Sequence, residues 1–109
     1  MVKIERKDIN EKKEFDRIGY HYTQVLADNE KKVYLYKMEK PGSAYLQFEL
    51  VKGKKYTNPD GNIIYTYPGD EDFGTYGWYI CGRPEKVLED ICDKWLTLTG
   101  HTPIFSLQT

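Results

Sequence analysis

The stretch "AYLQFELV", residues 44–51, alternates more regularly than any other part of this chain. Ala44, Leu46, Phe48 and Leu50 fall on one side of an extended backbone, and Tyr45, Gln47 and Glu49 fall on the other. Successive strand side chains point to opposite faces, so the pattern predicts a strand whose first set faces a core. Upstream, "KVYLYKM" (residues 32–38) repeats the arrangement, with Val33 and Leu35 on one face and Tyr34 and Tyr36 on the other. "DNEK" separates it from "YHYTQVLA" (residues 20–27), which makes an antiparallel hairpin the expectation. Asp28 and Asn29 suit the turn because their short side chains bond their own backbone and tolerate left-handed geometry.

Downstream, "NPDG" at residues 58–61 reads as a type I turn, so "NIIYTY" should return as a strand. "PGDED" makes the next connection. Tyr76, Trp78 and Ile80 then alternate with Gly77, Tyr79 and Cys81 in a last strand whose glycines allow a helix or ring to approach closely. A helix begins at Arg83 or Pro84, since proline's missing N–H costs nothing in a first turn. Val87, Leu88, Ile91, Cys92, Trp95 and Leu98 recur at helical spacing, and Gly100 with Pro103 supplies the stop. Glu85, Lys86, Glu89, Asp90, Asp93 and Lys94 form the opposite, solvated face.

The reading is α+β: an antiparallel, meander-like sheet of about five strands (19–82) with one C-terminal helix (83–99) on one face and a tail (100–109). Eleven charged residues between Lys3 and Arg17, with Ile4, Ile9, Phe15 and Ile18 irregularly spaced, predict a short surface helix or charged arm over 1–18. At 109 residues the chain fits one domain.

Sixteen Lys and Arg against seventeen Asp and Glu leave a net charge of −1, which removes the global positive field that draws proteins to nucleic acid or anionic lipid. No apolar run approaches the ~20 residues a membrane-spanning helix needs. Cys81 and Cys92 form no disulfide framework, and no secretory-type apolar stretch precedes them, so a reduced, cytoplasmic protein is the expectation.

The compositional outlier is tyrosine, ten residues against four phenylalanines and two tryptophans. A sheet with a helix on one side commonly leaves its other side wet, which would present Tyr34, Tyr36 and Tyr45 as aromatic anchors for a protein partner. Asp70, Glu71 and Asp72 would then form an acidic rim that steers a basic partner. Consecutive acids point in different directions and lack calcium-loop spacing, so no metal is assigned to them. The same rings, with Lys52, Lys54 and Lys55 for phosphates, offer single-stranded nucleic acid as the alternative partner. The net charge and the nearby Glu39 and Glu49 weigh against it.

The two cysteines stand eleven positions apart without a CxxC pair and read as core residues. His21 and His101 have no acid or nucleophile fixed nearby by sequence. With no serine elbow, phosphate-cradling glycine loop or HExxH, no catalytic residue and no cofactor is assigned. A small enzyme assembled from distant residues is the third reading. An exposed edge strand would also allow two copies to pair as a homodimer.

In "YPGDEDFGTYGWYICG", residues 67–82, the residues Tyr67, Pro68, Glu71, Asp72, Phe73, Gly74 and Trp78 resemble a motif of small phage and bacterial mobile-element proteins without a settled activity. Tyr76 stands where that pattern has a second tryptophan, and the resemblance extends from Tyr67 to about Trp95. It implies an accessory protein, an inhibitor or adaptor that modulates a host or viral partner, and it carries no catalytic residues.

Overall fold

The computed structural model describes residues 8–42 and 46–103, with Asp70 placed by its backbone alone. The first described element is a 3-10 turn at Ile9–Glu11, in which the Asp8 side chain caps the Asn10 N–H, and strand β1, Glu14–Arg17, follows. The charged segment expected as a helix or arm is therefore in part an edge strand. Phe15, facing inward between Glu14 and Asp16, is what fastens it, because it stacks on Tyr22 with ring centroids 4.6 Å apart.

β2 (Tyr20–Asp28), β3 (Val33–Glu39) and β4 (Leu46–Lys52) follow as antiparallel neighbours, and β7 (Gly77–Gly82) completes a sheet of order β1-β2-β3-β4-β7. Helix α1 (Pro84–Thr99) lies across β3, β4 and β7 and ends at Gly100 in the left-handed conformation. Its buried residues Val87, Ile91 and Trp95 close on Val33, Leu35, Phe48, Leu50 and Ile80. Phe48 and Leu50 thus occupy the core side that alternation assigned them, Leu46 packs against the same cluster, and Ala44 lies outside the described residues. The helix's far end is tied to the β2–β3 turn by His101, whose Nε2 lies 2.7 Å from Asp28 Oδ2.

Between β4 and β7 the chain makes a second layer that alternation alone did not place. β5 (Lys54–Thr57) and β6 (Ile63–Thr66) form a separate two-stranded hairpin around the expected Asn58–Gly61 turn, where the Gly61 N–H donates to the Asn58 carbonyl at 2.9 Å. Gly53 makes the fold-back possible. A Cβ there would stand 2.8 Å from Tyr65 Cβ, inside any tolerable contact, so only glycine lets β4 turn into β5 with the hairpin this close. The hairpin and the 3-10 turn together cover the face of the sheet opposite α1.

That cover reverses the exposure expected of the tyrosines. Tyr34 and Tyr36 do share the face opposite the aliphatic core, yet both are 0 % exposed, packed with Ile9, Tyr22, Met38 and Val51 under Phe15, Tyr65, Tyr67 and Phe73. Tyr45 lies outside the described residues. Among the described residues no helix is long and apolar enough to cross a membrane.

Candidate functional site

The buried tyrosines form a hydrogen-bonded ring cluster rather than a binding surface. Phe15 meets Tyr36 and Tyr67 edge-on at 5.4 and 5.3 Å, and Tyr36 meets Tyr67 at 5.4 Å. Each hydroxyl has a partner, as buried phenols require. Tyr36 donates to the Lys12 carbonyl at 2.7 Å and accepts from Gln24 Nε2 at 3.0 Å, while Tyr34 donates to Asn29 Oδ1 at 3.0 Å. Burial pushes the pKa of both up to about 12, so they remain protonated donors across the physiological range.

Glu49 is the centre of this cluster. It is only 5 % exposed, and its Oε2 and Oε1 each accept one hydroxyl at 2.6 Å, from Tyr22 and Tyr67 respectively. Such short O–H to carboxylate bonds are of the charge-assisted kind. Burial first, and then the bond to Glu49, raise both tyrosine pKa values well above the ordinary phenol range.

Beside this covered half, the same face stays open. Arg17, Ile18, Tyr20, Met38, Gln47, Glu49, Phe73 and Tyr79 line a trough of about 340 Å³, with Gln47 and Glu49 of β4 among its lining. Tyr79 is 52 % exposed, and its hydroxyl donates to Gln47 Oε1 at 2.5 Å. Phe73 is held at the end of the trough by a close approach to β7: a Cβ at Gly77 would lie 2.9 Å from its ring. Sequence reasoning foresaw such an approach at the strand's glycines.

Ile18 forms the rim and is the most conspicuous local exception in the chain. The β1–β2 turn is two residues long, with Ile18 at φ 47° and Gly19 at φ 85°. Two positive φ values suit a tight hairpin, but Asn or Asp is the usual first residue, and a β-branched side chain there is a true outlier. Such positions cost about 1–3 kcal/mol and cluster at functional sites. Ile18 is also 73 % exposed, so burial of its own side chain gives nothing back.

The trough opens toward the edge strand β7. The Lys52 N–H bonds the Tyr76 carbonyl at 2.7 Å, which sets the phase of the β4–β7 ladder. Trp78 and Ile80 consequently bond across to β4, and the backbone groups of Tyr79 and Cys81 point away from it. Gly77 obeys the same phase, since its outward carbonyl accepts the Gly74 N–H at 2.7 Å. β7 carries no charged residue, whereas the opposite edge, β1, carries Glu14, Asp16 and Arg17 in four positions. Proteins ordinarily blunt edges with charge, so the two edges are unlike.

The acidic loop is built into the fold. A 3-10 turn spans Asp70–Asp72, in which Asp72 receives Lys54 Nζ at 3.0 Å and the Gly69 N–H at 3.2 Å. Asp72 thus anchors the β5–β6 hairpin to the loop. Glu71 is exposed beside Gly69, and the side chain of Asp70 lies outside the described residues. Lys54 is correspondingly committed to Asp72, and Tyr34 and Tyr36, two of the rings proposed for stacking on bases, are covered.

Cys81 is exposed, contrary to the core assignment, because β7 is an edge and its odd positions face away from α1; Cys92 is half-buried on the helix. Both histidines have found acids: His21 Nδ1 lies 2.8 Å from Asp16 Oδ1, and His101 is held by Asp28. Each sits at the surface, and among the described residues no group of three or more His, Cys, Asp or Glu side chains could hold a metal. Comparison with known proteins gives no match to a family model, a curated protein or a solved structure.

Of the residues expected to form a site, the structure brings Tyr34, Tyr36 and Asp72 into the framework that supports the trough. The trough's own residues had weaker signals. Glu49 stood out only as an acid between Phe48 and Leu50, and Ile18 only as the wrong residue before Gly19 in a tight turn.

Proposed function

We propose that the chain is a non-enzymatic protein-binding module, an inhibitor or adaptor, that captures an extended segment of a partner along the open edge of β7 and in the adjoining trough. The accessory role is of the kind implied by the phage and mobile-element motif in residues 67–95. The observation that carries the reading is the uncharged edge at Tyr79–Cys81, which pairs with no further strand among the described residues, beside the strained, exposed Ile18. An added strand gains affinity from main-chain bonds and specificity from alternate side chains, and Tyr79 supplies a large contact with few rotors to freeze.

Selection of random displayed peptides on the immobilised protein, followed by amide exchange on the complex, tests this. Bound peptide should slow exchange of the Tyr79 and Cys81 N–H groups, and Cys81→Lys should weaken binding at least tenfold without altering the fold. Peptides that bind while leaving those amides unprotected would defeat the reading. Concentration-dependent protection with no peptide present would instead seat a second copy of the chain on β7.

A further inference from the structure

We infer that the trough is a binding site for a primary ammonium carried on an aliphatic stem, a lysine side chain of the partner, with Glu49 as its acceptor. Buried carboxylates are ordinarily paired with a cation. Glu49 is more than nine-tenths buried, and among the described residues no Lys, Arg or His nitrogen forms an ion pair with it; its side-chain partners there are the Tyr22 and Tyr67 hydroxyls. A carboxylate has about four acceptor sites, so two tyrosine bonds leave capacity for a further donor.

The walls select the stem. Ile18, Met38 and Phe73 are apolar, and Tyr20 and Tyr79 present rings. Lysine buries its methylenes against such surface while its head reaches a polar group, and an ammonium gains from aromatic faces. Tyr20 already receives one ammonium, Lys40 Nζ at 5.3 Å from the ring centroid. Arginine fits less well: its planar fork prefers both oxygens of a carboxylate in one plane, and here each oxygen already takes a tyrosine hydroxyl. Arg17 also lines the trough, so the site does not attract cations through its overall field, and recognition has to come from short-range contact at Glu49.

Naming a lysine of a protein segment rests on the partner-binding reading, but the site can be probed without the β7 edge. Nα-acetyl-lysine methylamide is titrated against the protein and followed through the Ile18 and Met38 methyl resonances, beside the norleucine derivative, which keeps the stem and lacks the charge. Saturable shifts at these methyls with Kd on the order of 1 mM are expected, the range open to a ligand of this size. The norleucine derivative should bind at least tenfold more weakly, and Glu49→Gln should erase the difference. Should Glu49→Gln unfold the chain, Tyr79→Ser, which removes an exposed wall and leaves the carboxylate in place, should weaken lysine binding several-fold. Equal binding of the two derivatives, shifts confined to other surfaces, or no saturation by about 50 mM, well above that range, would overturn the inference. Saturable lysine binding with Tyr79 and Cys81 amides unprotected by any peptide would keep the ammonium site and discard strand addition.

Discussion

The two faces of the sheet are made by the same strands and closed by different chemistry. On the α1 side, Val33, Leu35, Phe48 and Leu50 meet Val87, Ile91 and Trp95, a contact that hydrophobic burial alone drives and that tolerates exchange of one aliphatic for another of similar volume. On the other side, Tyr22, Tyr34 and Tyr36 are covered by Phe15, Tyr65 and Tyr67, and each buried hydroxyl names its partner. Burial of rings supplies the area there, while the hydrogen bonds fix which ring goes where. The cost of that specificity is that the cover has to fit, and Met38, Gln47 and Glu49, themselves buried, lie at its margin, where the trough begins. A site arises where the second closure stops.

Substitutions that unbalance the faces measure the difference. Tyr36→Ala should cost about 3–5 kcal/mol in urea unfolding, as much as emptying an aromatic site in any core, and Tyr36→Phe about 1–2 kcal/mol for the lost Lys12 and Gln24 bonds. A loss below about 1 kcal/mol for the alanine variant would mean that the tyrosine face is open in solution, as the alternation suggested. Gly77→Ala tests the boundary between the closed and open halves. The new methyl would displace Phe73, so about 1–3 kcal/mol should be lost; because Phe73 lines the trough, the lysine-derivative shifts should also change. Stability without a change at the trough would separate Phe73 from the site.

The smallest effect concerns the strap from α1 to the β2–β3 turn. The hydrogen bond to Asp28 raises the His101 pKa, so its stabilisation is full below the ordinary value of 6.5 and lost as pH rises through the raised one. Asp28 is lowered chiefly by the Lys31 N–H and then by His101, so its stabilisation is present above the ordinary value of 3.8 and lost as pH falls through the lowered one. Both contributions are complete between those values. His101→Ala should therefore lower Tm more at pH 5.5 than at pH 8.5, and an equal drop at both would show that the pair contributes no charge-dependent stability.

Much of the architecture was legible because it depends on local periodicity. The β2–β3 hairpin, the Asn58–Gly61 turn, the strand ending at Gly82 and the helix from Pro84 to Gly100 all follow from alternation, turn residues and helical spacing. β1 was hidden because four residues with one inward ring, Phe15, carry too little pattern to separate a strand from a charged arm. The site was harder still. Tyrosine suits a wet face and a dry one equally, so the alternation of Tyr34 and Tyr36 identified a common side without saying what lay over it.

Period-two and period-3.6 patterns thus specify which side chains share a face, since that depends only on backbone geometry within each element. What covers a face depends on contacts between elements distant in the chain. Gly53 turns β4 into a hairpin that folds back over the tyrosines, Tyr67 reaches Glu49 from eighteen residues away, and β7 is left as the uncharged edge. These are long-range packing choices with no local signature, and they convert a tyrosine-rich surface into a second core with a trough at its margin.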